Sequence, residues 1–275
     1  MRKRVFIISG IVLAIITVFV LLSLNKPPRP PLETRQGGGR LPLSQPALLA
    51  QAKELEVKGQ LLAAKNAYQE LINNFPGSAD IMNWQKRAED LNIKLLFSPA
   101  LTPKSIAYEI KPGDSLAKIA KEFKTTPELI IKINNISGDK IFPGKKIKVW
   151  SAPLNIVVDK SQNILMLKSD DEIIKTYVVS TGANNSTPVG TFKVVNKLQN
   201  PTWFKAGAVV PAGSSDNVLG TRWMGFDLAG YGIHGTVDPQ NLGKQVTQGC
   251  VRMANADVEE LYIIIPVGTE VTIVD

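Results

Sequence analysis

The amino-acid sequence predicts a multidomain protein with an N-terminal transmembrane helix, a small all-α segment, a βααβ domain and a mostly β C-terminal domain. Three observations predict this fold class. The chain has 275 residues, which exceeds the roughly 100–200 of a single domain. It opens on a long apolar run. Further along, helical spacing of apolar residues gives way to short alternating segments, separated by stretches rich in Pro and Gly.

Residues 1–25 are typical of an uncleaved signal anchor. The basic cluster Arg2 to Arg4 precedes an uncharged apolar run from Val5 to Asn25, and about 20 such residues cross a bilayer as a helix. A cleaved signal peptide is the alternative, but no small-x-small cleavage site ends the run. Because basic flanks tend to stay in the cytoplasm, we expect a single-pass cell-membrane protein whose remaining chain lies in the periplasm or cell wall.

Two segments follow, a Pro/Gly-rich linker at 26–43 and a helical segment at 44–97. In the helical segment, alanines and apolar residues recur at three-to-four spacing, with Gly59 between two helices and Pro76 after the second. The arrangement resembles one tetratricopeptide-type hairpin plus a further helix. Because one repeat buries little core, a helical spacer or small docking element for a protein partner is favoured over a peptide-binding array.

After a short linker at 98–106, residues 107–150 predict the order strand, helix, helix, strand. Tyr108 to Lys111 alternates like a strand, and Pro112 and Gly113 form a turn. Two helices then begin near Ser115 and Thr126, and a second strand ends the segment. The three motifs "YEIKPGDSLAKIAKEF", "LIIKINN" and "IFPGKKIKV" together resemble a LysM domain.

The LysM resemblance implies binding to glycans that contain N-acetylglucosamine, chiefly peptidoglycan. A LysM-shaped spacer with little affinity is the alternative. The glycan-binding residues that the resemblance implies are Gly113, Asp114, Ser115, Asn134, Asn135 and Ile141.

Residues 153–275 predict a mostly β domain. Short runs of β-branched residues such as "LNIVVDK", "NILMLKS" and "EVTIVD" alternate with turn sequences. The stretch "NADVEELYIII" predicts a short helix capped by Asn255. The long Gly- and Pro-rich stretch "NPTWFKAGAVVPAGSSDNVLG" is typical of a loop that covers a substrate.

This domain contains the one histidine and the one cysteine of the chain, His234 and Cys250. A lone cysteine outside the cytoplasm has no intramolecular disulfide partner, and one His with one Cys cannot complete a zinc site, so we expect no metal. A nucleophilic thiol needs a base and converging backbone N–H groups, which Gly249 favours by letting the chain turn sharply. Taken singly, each residue is more often structural than catalytic.

The charge of the chain narrows the class of partner. The formal net charge is +8 at neutral pH, which suits an anionic membrane surface or cell-wall polymer. Outside the cytoplasm, nucleic acid is the least expected of the anionic partners.

Four motifs in this order, "TPVGTF", "LGTRWMGF", "GYGIHGT" and "TQGCVRM", resemble the YkuD-type L,D-transpeptidase catalytic domain. The resemblance implies that Cys250 is the acylated nucleophile, His234 its base, and Gly235 the residue whose carbonyl orients the imidazole. It implies an oxyanion hole from the backbone amides of Gln248, Gly249 and Cys250. Substrate-binding positions under the same resemblance are Thr247, Arg252, Arg222 and Trp223.

Two details of these motifs stay open. Trp223 is alternatively a core residue and Arg222 a paired surface charge. Many members of the family have His where this chain has Gln248, which leaves His234 as the base and removes a second imidazole from the site.

The implied function is a cell-wall L,D-transpeptidase that forms 3-3 peptidoglycan cross-links from tetrapeptide donors, with no cofactor. The alternatives are an L,D-carboxypeptidase, a transferase that anchors proteins, and a non-catalytic peptidoglycan-binding protein.

Overall fold

The computed structural model describes residues 43–205 and 207–275. The expected anchor at 1–25 and nearly all of the linker at 26–43 lie outside the described residues. Within the described residues, no helix has the length and apolar character needed to cross a membrane. The chain divides into two compact units, the first ending at Ala88 and the second beginning at Glu89.

The first unit is helical. Helices α1 (Gln45–Val57) and α2 (Leu61–Asn74) pack on each other. Ala52 of α1 and Ala64 of α2 are completely buried, and their small side chains allow the close approach of two helices. A third helix, α3 (Ile81–Leu96), contains the point where the two units divide.

After the end of α3, the second unit contains the predicted βααβ arrangement. Its elements are β1 (Ser105–Glu109), α4 (Leu116–Glu122), α5 (Pro127–Asn134) and β2 (Lys146–Trp150). Strands β1 and β2 pair antiparallel, with Tyr108 opposite Ile147. Ser115 and Thr126 cap the two helices, accepting hydrogen bonds from the Lys118 and Leu129 backbone N–H groups at 3.2 and 2.9 Å.

The C-terminal domain is mostly β, as predicted. Its first strands are β3 (Asn155–Asp159), β4 (Ile164–Ser169), β5 (Glu172–Gly182), β6 (Gly190–Gln199), β7 (Trp203–Lys205) and β8 (Ala208–Val210). The remaining elements are β9 (Arg222–Phe226), β10 (Gly232–His234), β11 (Gln245–Thr247), β12 (Val251–Met253), α6 (Asn255–Ile264) and β13 (Glu270–Val274).

One nine-stranded sheet in the order β11-β5-β12-β10-β9-β6-β13-β3-β4 forms the body of this domain. A further pairing of β5 with β4 closes the sheet on itself. Strands β7 and β8 form a separate hairpin. The two shortest central strands, β10 and β12, lie side by side and parallel.

The βααβ part and the C-terminal domain share one hydrophobic core. Leu129 and Ile133 of α5 and Trp150 of β2 belong to the same buried cluster as the residues of the closed sheet. Ile130, one position along α5, instead belongs to the cluster of the βααβ part itself. The Thr126 hydroxyl also donates to the Ile263 carbonyl of α6. Helix α5 therefore buries two different faces, one in each core.

The predicted cap of helix α6 is wrong. The N-cap is Ala254, which makes no side-chain cap hydrogen bond, and Asn255 is the first residue inside the helix. The Asn255 carboxamide reaches across to two loops, where its Oδ1 accepts from the Thr221 and Thr236 backbone N–H groups at 3.2 and 3.0 Å. Local helix rules predicted that the Asn255 side chain caps α6, but it makes long-range hydrogen bonds instead.

Candidate active site

Strands β10 and β12 bring His234 and Cys250 to one cavity. His234 is the last residue of β10, and Cys250 immediately precedes β12. The parallel register places Ile233 opposite Val251 and His234 opposite Arg252. Both His234 and Cys250 line the same cavity of about 640 Å³. The two residues are sixteen positions apart in sequence, and they come together because the chain returns to pair β12 with β10.

The His234 imidazole is fixed in orientation. Its Nδ1 lies 2.7 Å from the Gly235 carbonyl O, and because a carbonyl only accepts, Nδ1 carries the proton. That tautomer leaves Nε2 as a proton acceptor. The ring stacks on Trp223, with centroids 6.1 Å apart and planes at 22°. Burial lowers the pKa of His234 to about 4, and the Arg252 charge lowers it further, whereas backbone contacts with Gly235 and Val218 raise it.

The Cys250 thiol is partly exposed, and its Sγ donates to the Gly230 carbonyl O at 3.5 Å. Burial raises the pKa of the Cys250 thiol, while the Gly232 backbone hydrogen bond and the Arg252 charge lower it. The thiol and the imidazole are therefore both uncharged at neutral pH. These directions favour a thiol that loses its proton to a base during attack over a thiolate formed in advance.

The conformation of the loop that carries Cys250 is stabilised by hydrogen bonds between residues of that loop. Gly249 has a φ of +129°, and a Cβ there would lie 2.6 Å from Tyr231 Cε1. The Thr247 hydroxyl donates to the Cys250 carbonyl O at 2.6 Å and accepts from the Gly249 N–H at 3.2 Å. The Thr247 hydroxyl therefore stabilises the loop. Thr247 also lines the cavity, and its role in substrate binding stays a prediction.

The hydrogen bonds of the Thr247 hydroxyl also bear on the expected oxyanion hole. Because the Gly249 N–H donates to Thr247, it is engaged within the loop. Gln248 and Cys250 both line the cavity, and their N–H groups stay the predicted donors to an oxyanion.

Aromatic side chains form part of the cavity wall. Four aromatic side chains, two of them from the predicted substrate-covering loop, line it: Trp203, Phe204, Trp223 and Tyr231. Phe204, on the β7 hairpin, is 74% exposed. Tyr231 is a functional position that sequence reasoning missed, and the signal for it was its place three residues before His234 in "GYGIHGT".

Arg252 is the one permanently charged residue among the described residues that line the cavity. Its Nε is buried and has no hydrogen-bond partner within the described chain. Because guanidinium donors match a carboxylate in geometry, this arrangement suits an anionic group of a ligand.

Arg222, which was expected to bind substrate, does not line the cavity. Its Nη1 donates to the Thr221 carbonyl O at 2.7 Å, and its guanidinium lies 5.5 Å from the Tyr262 ring centroid. Successive side chains of a strand point to opposite faces, so the Arg222 side chain points away from the cavity and the Trp223 side chain points into it. Trp223 is held there by a hydrogen bond from its Nε1 to Asn196 Oδ1 at 3.0 Å.

The residues expected to bind glycan divide into two groups. Asn134 does not offer its side chain to a ligand, because its Nδ2 donates to the Lys148 carbonyl O and its Oδ1 accepts from the Lys148 N–H, both at 2.8 Å. Ile141 is partly buried and packs against the core of the βααβ part. The Asn134 carboxamide therefore joins α5 to β2, and its part in glycan binding stays a prediction.

The other group lies nearer the surface. Gly113, Ser115 and Asn135 are exposed, while Asp114 accepts from the Tyr108 hydroxyl and the Lys111 N–H at 2.8 Å each. Phe142 is 58% exposed and was missed, although an apolar ring next to a Pro-Gly turn is visible in the sequence.

Comparison with known proteins identifies both parts of the second unit. Residues 153–273 match the YkuD family, described as the L,D-transpeptidase catalytic domain, and residues 108–150 match the LysM domain. A Bacillus licheniformis protein that carries the name L,D-transpeptidase YkuD is 34% identical over 176 residues, covering 61% of this chain and 98% of that protein. In Bacillus subtilis, the protein named L,D-transpeptidase YqjB is 43% identical over 126 residues, covering 44% of this chain and 70% of its own.

Solved structures are similar at lower identity. The crystal structure of an L,D-transpeptidase from Mycobacterium tuberculosis H37Rv is 18% identical, with a TM-score of 0.40, and the match covers 48% of this chain and 63% of that one.

Proposed function

This chain belongs to the YkuD family of L,D-transpeptidases, and we propose that it forms 3-3 cross-links in peptidoglycan from tetrapeptide donors. Members of the family are cysteine-dependent acyltransferases. The observation that carries the proposal is the shared cavity of His234 and Cys250, with the imidazole fixed by the Gly235 carbonyl.

The acylation step uses these groups directly. The thiol proton of Cys250 moves to Nε2 of His234 as Sγ bonds to the carbonyl carbon of the third stem residue. In this proposal the Gln248 and Cys250 N–H groups donate to the developing oxyanion. Collapse of the intermediate breaks the bond to the terminal D-Ala, whose nitrogen takes the proton from the imidazolium, and a thioester remains.

The second step releases the product. An amine of a neighbouring stem attacks the thioester carbon and gives a proton to His234. The carbon–sulfur bond breaks, and the sulfur of Cys250 takes that proton back. A cavity partly lined by aromatic side chains favours transfer to an amine over hydrolysis to the extent that it excludes water.

The LysM part supports a polymeric substrate. Gly113, Ser115, Asn135 and Phe142 are exposed on this part, and a glycan bound there would raise the local concentration of stem peptides. The apolar run at residues 5–25 supports anchorage in the cell membrane with the enzyme outside the cytoplasm. A protein partner for the helical unit stays a proposal.

The test is product analysis with purified ectodomain and tetrapeptide muropeptides. We expect release of D-Ala and a 3-3 linked dimer, both lost in Cys250→Ala. D-Ala release with a tripeptide and no dimer would assign a carboxypeptidase instead. If the parent enzyme and Cys250→Ala both leave the muropeptides unchanged, the chain is a binding protein and the proposal is wrong.

A further inference from the structure

The carboxamide of Asn255 holds two loops that flank the strand pair of the site. Its Oδ1 accepts from the N–H of Thr221, which precedes β9, and from the N–H of Thr236, which follows β10 by two residues. Both contacts lie within hydrogen-bond distance, at 3.2 and 3.0 Å. Asn255 belongs to helix α6, so a residue of the helix sets the position of the chain just after His234.

The peptide unit between Gly235 and Thr236 connects this contact to the imidazole. It contains the Gly235 carbonyl, which lies 2.7 Å from His234 Nδ1, and the Thr236 N–H, which donates to Asn255. A trans peptide unit is planar, and its C=O and N–H point in opposite directions. Fixing the N–H on one side therefore fixes the direction of the carbonyl on the other.

The two glycines next to the carboxamide make room for it. A Cβ on Gly235 would lie 2.2 Å from Asn255 Oδ1, and a Cβ on Gly220 would lie 2.3 Å from the same atom. The Gly235 N–H is held separately by the Arg222 carbonyl at 3.2 Å. The glycine that follows His234 is thus required because the Asn255 oxygen occupies the space of its side chain.

Helix α6 gives up a local contact for this arrangement. An asparagine at the N-cap would stabilise the helix relative to alanine, yet Ala254 is at the N-cap and Asn255 is one position further in. Departures from local rules of this kind concentrate at functional sites.

We propose that Asn255 is a positioning residue for the family's reaction: through the Gly235–Thr236 peptide unit it holds the His234 imidazole in the tautomer with the proton on Nδ1, so that Nε2 is the unprotonated nitrogen that accepts the thiol proton. The inference rests on the proposed function for its effect on rate, but its effect on the imidazole does not require activity. Hydrogen bonds in such a chain also polarise one another, which strengthens the contact of the carbonyl with Nδ1.

The test uses the fact that the chain has one histidine, so a ¹⁵N-histidine spectrum reports a single imidazole. In the parent ectodomain we expect the Nδ1–H tautomer. Asn255→Ala should mix the tautomers and lower kcat for D-Ala release about 10- to 100-fold, because a small misplacement of a reacting group costs up to about 100-fold, with a smaller change in KM. Asn255→Asp, which keeps the Oδ1 acceptor, should restore the tautomer and most of kcat.

A matched control separates positioning from stability. The Asn92 carboxamide also makes two hydrogen bonds to backbone, to the Ile173 and Ile174 carbonyls at 3.2 and 3.3 Å. Asn92→Ala should therefore lower Tm without changing the tautomer. Where Asn255→Ala does not fold, Asn255→Ser provides the same comparison, since its shorter side chain does not span both amides.

Three outcomes decide the inference. A parent tautomer that stays unchanged in every folded Asn255 variant overturns it, whatever happens to kcat. A tautomer change with unchanged kcat also overturns it. A parent enzyme that is inactive on muropeptides contradicts the proposed function alone, because the spectrum still shows whether Asn255 sets the imidazole.

Discussion

At the scale of single residues, burial decides the charge state of the reacting pair. It lowers the pKa of His234 to about 4 and raises the pKa of the Cys250 thiol. A neutral imidazole is the form that accepts a proton, and a raised thiol pKa keeps the proton in place until attack. The site is therefore set for general-base catalysis rather than for a preformed thiolate–imidazolium pair.

This charge state predicts the pH dependence of the reaction. The imidazole becomes a base as pH rises through about 4, so the acidic limb of kcat/KM should lie near that value instead of near 6.5. Alkylation of the single cysteine by iodoacetamide should keep accelerating with pH beyond the ordinary thiol range, because the Cys250 pKa is raised. Alkylation that reaches a plateau below pH 7 would reveal a preformed ion pair and contradict this prediction.

We expect Arg252 and Arg222 to differ in their contribution to binding of the donor substrate. Arg252 lines the cavity with an unpaired Nε, whereas Arg222 packs on Tyr262 outside it. A hydrogen bond to a charged group contributes about 1.5–3 kcal/mol, so Arg252→Ala should raise the KM for the donor about 10- to 100-fold. Arg252→Lys should recover part of the loss, because lysine keeps the charge but not the planar fork.

Arg222→Ala is the matched control for this comparison. It should leave the KM for the donor within about twofold and act on Tm instead, through lost packing on Tyr262. Steady-state kinetics with a tetrapeptide donor check both variants, and equal KM effects from the two arginines would refute the assignment.

Among the helices and strands, the sequence predicted correctly those features that short-range interactions determine. The βααβ order and the capping residues Ser115 and Thr126 follow from short-range rules, and the alternating runs are strands of the sheet. The cap of α6 was mispredicted because Asn255 binds backbone 19 and 34 residues away. The sequence could not place Arg222 outside the cavity, because the direction of a strand side chain depends on which side of the sheet the cavity lies.

In the site, too, residues in local motifs could be predicted, whereas contacts that depend on the fold could not. His234, Gly235 and Cys250 lie in compact motifs, so their residue types and spacing were enough to single them out. Tyr231 packs against Gly249 through the fold alone, and no spacing rule connects those two positions. The stabilisation of the loop by Thr247 likewise needs the turn geometry that the sequence does not state.

At the scale of the whole second unit, the LysM part is fused to the catalytic domain instead of being tethered to it. Leu129 and Trp150 are buried in the catalytic core, and Lys148 of β2 donates from Nζ to the Leu95 and Ser98 carbonyl O atoms at 2.7 and 2.9 Å. A glycan bound by LysM would thus be held in a fixed direction relative to Cys250. The sequence predicted two domains side by side but not their common core, because apolar spacing in a helix does not say which neighbour covers each face.

This shared core predicts that LysM and the catalytic domain open together. Leu129 and Ile130 are adjacent and both fully buried, the first in the catalytic core and the second in the LysM core. Replacing either with alanine should cost about 2–5 kcal/mol. Hydrogen exchange of the ectodomain should show one common opening free energy for β2 and β13, lowered by both variants in both strands. If Ile130→Ala speeds exchange in β2 and leaves β13 unchanged, the two parts unfold independently, and a fixed presentation of the glycan strand loses its physical basis.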